Sequence, residues 1–305
     1  MTFLNVFTSL SDMVAGALGI KAETKKSEVG QYFTSIAETM EFVKKKLREE
    51  VAKNGNYLKL KSVVTFITNT LDKIADGAKT AATGATTDAA IGGATNAGQD
   101  AAPADTASVN SLVKGIKTIV DVVLKKDEGS ADATKTAEAD KKDIGKLFEK
   151  KDSGTETEAA KASASIGAVT GADILKAIAQ SASTEADEDI DKASNAAEIA
   201  AAKADANGKD FGDGQKDAVI AAGIALKAMA KNGKFTAKNN EEKSAHAVNG
   251  AVANAVGKTL NTLIIAIRNT VDSGLKSINA ALATVTQEDK SVGSTTPTDA
   301  ATGGQ

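Results

Sequence analysis

Val252-Ala-Asn-Ala-Val-Gly-Lys-Thr-Leu-Asn-Thr-Leu-Ile-Ile-Ala-Ile-Arg-Asn-Thr-Val-Asp-Ser-Gly-Leu-Lys-Ser-Ile-Asn-Ala-Ala-Leu-Ala-Thr-Val285 is the stretch that decides the fold class. Its large apolar residues, Val252, Val256, Leu260, Leu263, Ile267, Val271, Leu275, Ile278, Leu282 and Val285, step by three or four throughout, and no proline interrupts them. That is the period of one helical stripe. A helix over residues 244–287 would be roughly 65 Å long at 1.5 Å per residue, which requires an elongated bundle to cover it.

The same period recurs upstream. Leu60, Val63, Val64, Ile67, Leu71, Ile74 and Ala78 share one stripe within residues 58–79, and Val109, Leu112, Val113, Ile116, Ile119, Val120 and Val123 form another. Tyr32, Phe33, Ile36, Met40, Val43 and Leu47 predict a helix over 27–52, stopped by Asn54-Gly55. Leu10, Val14, Ala17 and Leu18 make a short amphipathic segment, with Ser9 and Asp12 spaced as a capping box. The early helices are the expected partners of the C-terminal one, burying Val64, Ile67 and Leu71 against Leu263 and Ile267.

Between these helices the composition changes. Residues 81–106 are rich in Ala, Gly, Thr and Asp, and 127–140, 152–158, 181–189, 205–214 and 231–240 are small, polar or charged, so they are expected to be loops or mobile excursions. Shorter helices are predicted over 141–151, 159–165, 172–181, 189–204 and 215–230, with Thr170 and Asp173 as a capping box for the third. The reading is all-α: a single elongated helical domain over 1–287, with a frame at 1–79 and 244–287 and a loop-rich variable middle at 80–243. Residues 288–305 have little to bury and are expected to be disordered.

Composition excludes several functions. The chain has 305 residues, two prolines, no Cys, no Trp and one His. Disulfides, thiolate chemistry and multi-histidine metal sites are therefore out. Its 37 basic and 40 acidic side chains leave a net charge of −3, without the basic excess of a nucleic-acid binder. The opening Met1-Thr2-Phe3-Leu4 lacks a basic n-region and cleavage site, so a mature or trimmed form is expected. No apolar run approaches the ~18 residues of a membrane span.

The local motifs are weak. Gly257-Lys258-Thr259 resembles the end of a phosphate-binding loop, but Val252 stands where the first glycine is needed and the triplet lies inside a helical stripe. A small residue at a close helix approach explains Gly257 better. Asp205, Asn207, Gly208 and Asp210 resemble part of a calcium loop, yet Lys203 would occupy position one and Gly214 position twelve. Glu185, Asp187, Glu188, Asp189 and Asp191 read as a hydrated acidic loop. Lys44, Lys45, Lys46 and Arg48 pair locally with Glu41, Glu49 and Glu50. His246, near a helix start, has no nucleophile to serve. No catalytic, cofactor-binding or metal-ligating residue is assigned.

Longer blocks carry a resemblance. Residues 217–233 (Asp217-Ala-Val-Ile-Ala-Ala-Gly-Ile through Gly233), residues 258–276, Thr170-Gly-Ala-Asp-Ile-Leu-Lys-Ala-Ile178 and Phe7-Thr-Ser-Leu-Ser-Asp-Met-Val-Ala-Gly-Ala-Leu-Gly19 resemble the variable large proteins of relapsing-fever Borrelia, relatives of the surface antigen VlsE. The resemblance spans nearly the whole chain. It implies an elongated helical fold with both ends near the membrane and variable loops at the far end. It further implies an outer-membrane surface lipoprotein, held by an N-terminal lipid on a cysteine that this sequence lacks, from a switched, plasmid-encoded repertoire. The implied role is antigenic variation and immune evasion by steric shielding, with host antibodies as partners and no catalysis. The alternative is an adhesin that binds a complement component, receptor, serum or matrix protein. A monomer or weak homodimer is expected, with no nucleic-acid partner and no cofactor.

Overall fold

The computed structural model describes residues 19–54, 57–150, 153–185, 188–205 and 208–291. It is all-helical, and among the described residues β structure is limited to isolated bridges. In chain order the helices are α1 (Lys26–Asn54), α2 (Tyr57–Phe66), a π turn (Ile67–Leu71), α3 (Asp72–Ala82), α4 (Thr106–Val123), α5 (Glu138–Ile144) with a 3₁₀ turn (Gly145–Phe148), α6 (Glu156–Ala168), α7 (Gly171–Gln180), α8 (Ala196–Ala201), α9 (Asp217–Met229) and α10 (Glu242–Ser291).

Helix α10 has 50 residues, a span of about 75 Å. By length and composition its segment Glu242–Ala280 could cross a membrane. Its stripe is already used, however: Val252, Val256, Leu260, Leu263, Ile267, Val271, Leu275 and Ile278 are buried in the protein core. The helix runs through Glu288–Ser291, so the first four residues of the expected disordered tail are helical; residues 292–305 lie outside the described residues, as does the N-terminal amphipathic segment.

The partners of α10 differ from expectation. It packs chiefly against α6, α9 and α7, and meets the early helices through α4 and α2. There the ring of Phe66 fills the space over Gly274, where a Cβ would lie 2.0 Å from the ring. The early helices pack instead as a sheet of three, α1 on α3 and α3 on α4. Val63, Ile67 and Leu71 are buried, but Val64 is 49% exposed. Among the described residues no neighbour covers that side of α2.

Helix α9 sits at the centre, touching α8, α10, α7, α6 and α4, and all of its residues except Val219 are buried. This is why its apolar residues are not confined to one stripe. Local signals fixed several helix starts: Asp105 caps α4 by accepting from the Ser108 backbone N–H at 2.9 Å, and Thr170 and Asp173 form the expected capping box of α7. Thr155 and Glu158 form another at α6, a T-x-x-E spacing that the sequence also displays.

Three helix boundaries are corrected. The stretch 189–204 holds only the six-residue α8, because Asp189–Asn195 is drawn into side-chain pairing described below. The 141–151 helix starts earlier, at Glu138, and tightens into a 3₁₀ turn that buries Leu147 and Phe148. Ala81 and Ala82 belong to α3, not to a loop.

The central connections are not free excursions. The 83–105 segment is bridged to 231–241 at Gln99–Ala237 and Ala102–Lys234, and is tied to Glu149 and Ala200 through the amides of Ala101 and Ala104. Asn110 exchanges two side-chain hydrogen bonds with the backbone of Thr184. Small residues permit these close passages and short polar side chains satisfy the backbone groups that they bury.

Candidate functional site

The polar groups of the middle region form three clusters. In the first, Lys26 at the start of α1 reaches the end of α9, where its Nζ donates to the carbonyls of Lys227, Ala230 and Gly233 at 3.2, 2.6 and 2.9 Å. A cation there complements the negative helix end. Lys227 is fully buried; its Nζ donates to the Ala200 carbonyl at 3.3 Å and stands 5.3 Å from the centre of the Phe148 ring. Phe148 in turn packs against Phe211 and Phe235. Burial, and secondarily neighbouring lysines, lowers both ammonium groups to about 7. Burial likewise raises Glu149 to about 7; one of its oxygens accepts from the Asp205 amide, while Oε1 has no hydrogen-bond partner.

In the second, the buried Asp217 carboxylate accepts from the amides of Lys135 and Thr136 at 2.6 and 2.9 Å and from Ser165 Oγ at 2.6 Å. Burial pushes this carboxyl upward, but the hydrogen bonds outweigh it and hold the group below its ordinary value. It pins the 134–136 loop to α6 and α9.

The third corrects the reading of the acidic run at Asp189, while Glu185 and Glu188 are exposed. Asp189 is not a hydrated side chain: it pairs with Lys203 and Lys209 at 3.0 Å each and with Lys192 at 3.4 Å. Hydrogen bonds from Lys209 and then Lys203 hold its carboxyl well below the usual range. Asp187 lies outside the described residues.

The remaining motifs fall as follows. Asp205 and Asp210 face Lys209 and Lys146, and Asn207 is outside the described residues. Among those residues no group of three or more His, Cys, Asp or Glu side chains is arranged to hold a metal. Lys258 does not face a phosphate cavity; its ammonium donates to the carbonyls of Ile166 and Val169 and caps the end of α6. Gly257 is not a tight crossing, since among the described residues a Cβ there would meet only Ile20, at 3.7 Å. His246 is exposed and 3.5 Å from Glu242. The basic cluster pairs locally, Lys44 with Glu41 and Lys46 with Glu49, and Lys44 also reaches Asp72 on α3.

Sequence reading missed Lys26, Lys227 and Asp217 as buried charges. One signal was available: Lys227 interrupts the otherwise apolar run from Ala218 to Met229. Chemically the clusters lock loops to helices. What they leave at the surface is a set of short exposed stretches, including 95–97, 125–128 and 238–240, each flanked by buried or half-buried residues.

Comparison with known proteins places this arrangement. A family model described as Borrelia lipoprotein matches residues 3–282. Variable large protein 4 of Borrelia hermsii is 61% identical, the match covering 99% of this chain and 88% of that protein. Variable large protein 17 of the same organism is 58% identical over 99% and 87%. The crystal structure of the Lyme disease variable surface antigen VlsE of Borrelia burgdorferi superposes with a TM-score of 0.77 at 36% identity, covering 90% of this chain and 93% of that one. The chain belongs to the Borrelia lipoprotein family and, within it, to the variable large proteins, whose helical fold it shares with VlsE.

Proposed function

We propose that this protein is an outer-surface lipoprotein antigen of the outer membrane, anchored through an N-terminal lipid, that serves antigenic variation. The observation that carries the reading is the combination of near-complete coverage by variable large proteins with the fold of a variable surface antigen. The host partners are antibodies. The molecule acts sterically, as a helical body that covers the membrane, and not by catalysis. In support, the buried ammonium groups of Lys26 and Lys227 bond to backbone carbonyls and the buried Asp217 carboxylate to a loop.

We further propose one working domain over 1–287, with a frame at 1–79 and 244–287 and a middle at 80–243 that varies among relatives. The short exposed stretches of the middle can change without disturbing the buried anchors on either side, since exposed loop side chains support few core contacts. The stripe of α10 has no such freedom.

A loop graft tests this. Transferring the exposed stretches 95–97, 125–128 and 238–240 to Variable large protein 17, with its own helices retained, should transfer reactivity of protective serum on intact cells. Helical circular dichroism should stay unchanged. Serum that follows α10 instead would refute the reading. Capture of a serum or matrix protein, abolished by one point substitution, would favour the adhesin alternative.

A further inference from the structure

Three contacts fix how α1, α2 and α10 run relative to one another. The Tyr32 hydroxyl of α1 donates to the Leu260 carbonyl of α10 at 3.0 Å. Lys44 of α1 pairs with Asp72 at the start of α3, and Phe66 of α2 lies over Gly274 of α10. With Asp72 level with Lys44, Phe66 is level with about residue 50 of α1. The axial step from Tyr32 to residue 50 is then roughly 27 Å and that from Leu260 to Gly274 roughly 21 Å, an agreement to about one helical turn. Helix α1 therefore runs parallel to α10, and the end of the molecule beyond Lys44 is built by α1, α2 and the last turns of α10. The opposite end of α10 carries the exposed stretches 95–97 and 238–240. There Asn249 bonds to both backbone groups of Ala94, and the Asn240 amide donates to the Asn96 carbonyl at 3.1 Å.

The end built by α1 and α2 is basic. Residues 41–61 hold seven Lys or Arg and three Glu, whereas the rest of the chain is acidic on balance. Lys44 is neutralised by Glu41 and Asp72, and Lys46 by Glu49. Lys45, Arg48 and Lys61 are exposed, as is Lys276 at the matching level of α10, and among the described residues these four have no ion-pair partner. They fall within about 12 Å of one another along the axis. Like charges gathered at one end repel each other, and an anionic surface brought against them relieves that repulsion.

We propose that this end docks on anionic lipid headgroups of the membrane that holds the protein, through Lys45, Arg48, Lys61 and Lys276. The inference rests on the outer-surface lipoprotein reading and adds to it an orientation, which a lipid tether alone does not impose. A flat charged surface suits cations spread over three helices at one level, because it meets them together. A linear polyanion instead needs its cations in a row along one track. Docked in this way, the protein has about 40 Å of α10 between Lys276 and Asn249, so the stretches 95–97 and 238–240 are held well away from the bilayer.

Cosedimentation of the full chain, carrying no lipid, with vesicles is the test. Vesicles of phosphatidylglycerol mixed with phosphatidylcholine should bind it at low salt, and vesicles of phosphatidylcholine alone should not. Binding should fade as salt rises to about 1 M, where the screening length is about 3 Å. Each cation near an anionic surface is worth a factor of about five in affinity. Lys45→Gln and Arg48→Gln together should therefore weaken binding roughly 25-fold, and adding Lys61→Gln and Lys276→Gln should abolish it. Lys243→Gln, at the far end of α10, should leave it unchanged. All five side chains are exposed, so the variants should keep the melting temperature of the parent. Absence of binding to the anionic vesicles, or binding that the fourfold variant retains, would overturn the proposal. So would binding to heparin without binding to vesicles, which would assign the cations to a sulfated glycan. None of these results touches the antigen reading, which is tested by serum reactivity on intact cells; vesicle binding without transfer of that reactivity would count against the antigen reading alone.

Discussion

Gly115 of α4 lies so close to Gly77 of α3 that a Cβ on Gly115 would stand 2.4 Å from the Gly77 carbonyl oxygen and 2.4 Å from the Ala81 amide nitrogen. Two glycines on facing helices thus set the distance at which α3 and α4 pack. Around them Ile74, Ala78, Ile116 and Ile119 are fully buried, so the pair cannot separate without opening the core.

Gly115→Ala should therefore destabilise by about 1–3 kcal/mol, as overpacking does. Gly250→Ala in α10 should do the opposite, because no described residue lies within 4 Å of its Cβ position; it should stabilise by about 0.5–1 kcal/mol through helix propensity. Denaturant unfolding of both variants checks the contrast. Equal effects would show that the Gly77–Gly115 contact does not control the packing.

The buried lysines give stability an unusual pH dependence. Lys26 and Lys227 bind protons near 10.5 when unfolded and at about 7 when folded. Between those values the unfolded chain holds more protons, so these groups make stability rise with pH. Glu149, at about 7 folded and 4.5 unfolded, makes stability fall from 4.5 to 7. The combined contribution is least favourable near neutrality. Lys227→Met should raise stability at pH 7 by about 1–4 kcal/mol, as replacing a buried charge can, and should flatten the rise in melting temperature above pH 7. An unchanged slope would mean that Lys227 is not the group responsible.

Asp217→Ala removes the acceptor of the Lys135 and Thr136 amides and of Ser165. Leaving such groups unpaired should cost about 3 kcal/mol and should accelerate amide exchange at 134–136 before the rest of the protein. Since the folded carboxyl is depressed, its contribution is present above pH ~4 and is lost as pH falls through the folded value. Exchange at 134–136 that is unaltered by the substitution would contradict this role.

Calcium and chelator should leave the melting temperature unchanged. Asp205 and Asp210 are engaged by Lys209 and Lys146, and a calcium loop needs a bidentate acid where Gly214 stands. A calcium-dependent rise of several degrees would show a folded-state site.

The local sequence determined which segments are helical and where several of them begin. The stripe of α10, the stripe of α4 and the Thr170–Asp173 capping box are statements about neighbours three or four residues apart, and such neighbours meet in any helix. Tertiary structure alone decided the partners. Val63 and Val64 carry the same propensity, yet one is buried and the other is not, because burial depends on which helix lies alongside α2. Asp189 is ordinary as a residue in an acidic run and becomes an ion-pair centre only when Lys203 and Lys209 are folded back onto it. Lys26 finds its carbonyls some two hundred residues away. Periodicity records which face of a helix is apolar; it holds no information about what will cover that face, since that choice is made by contacts between residues distant in the chain.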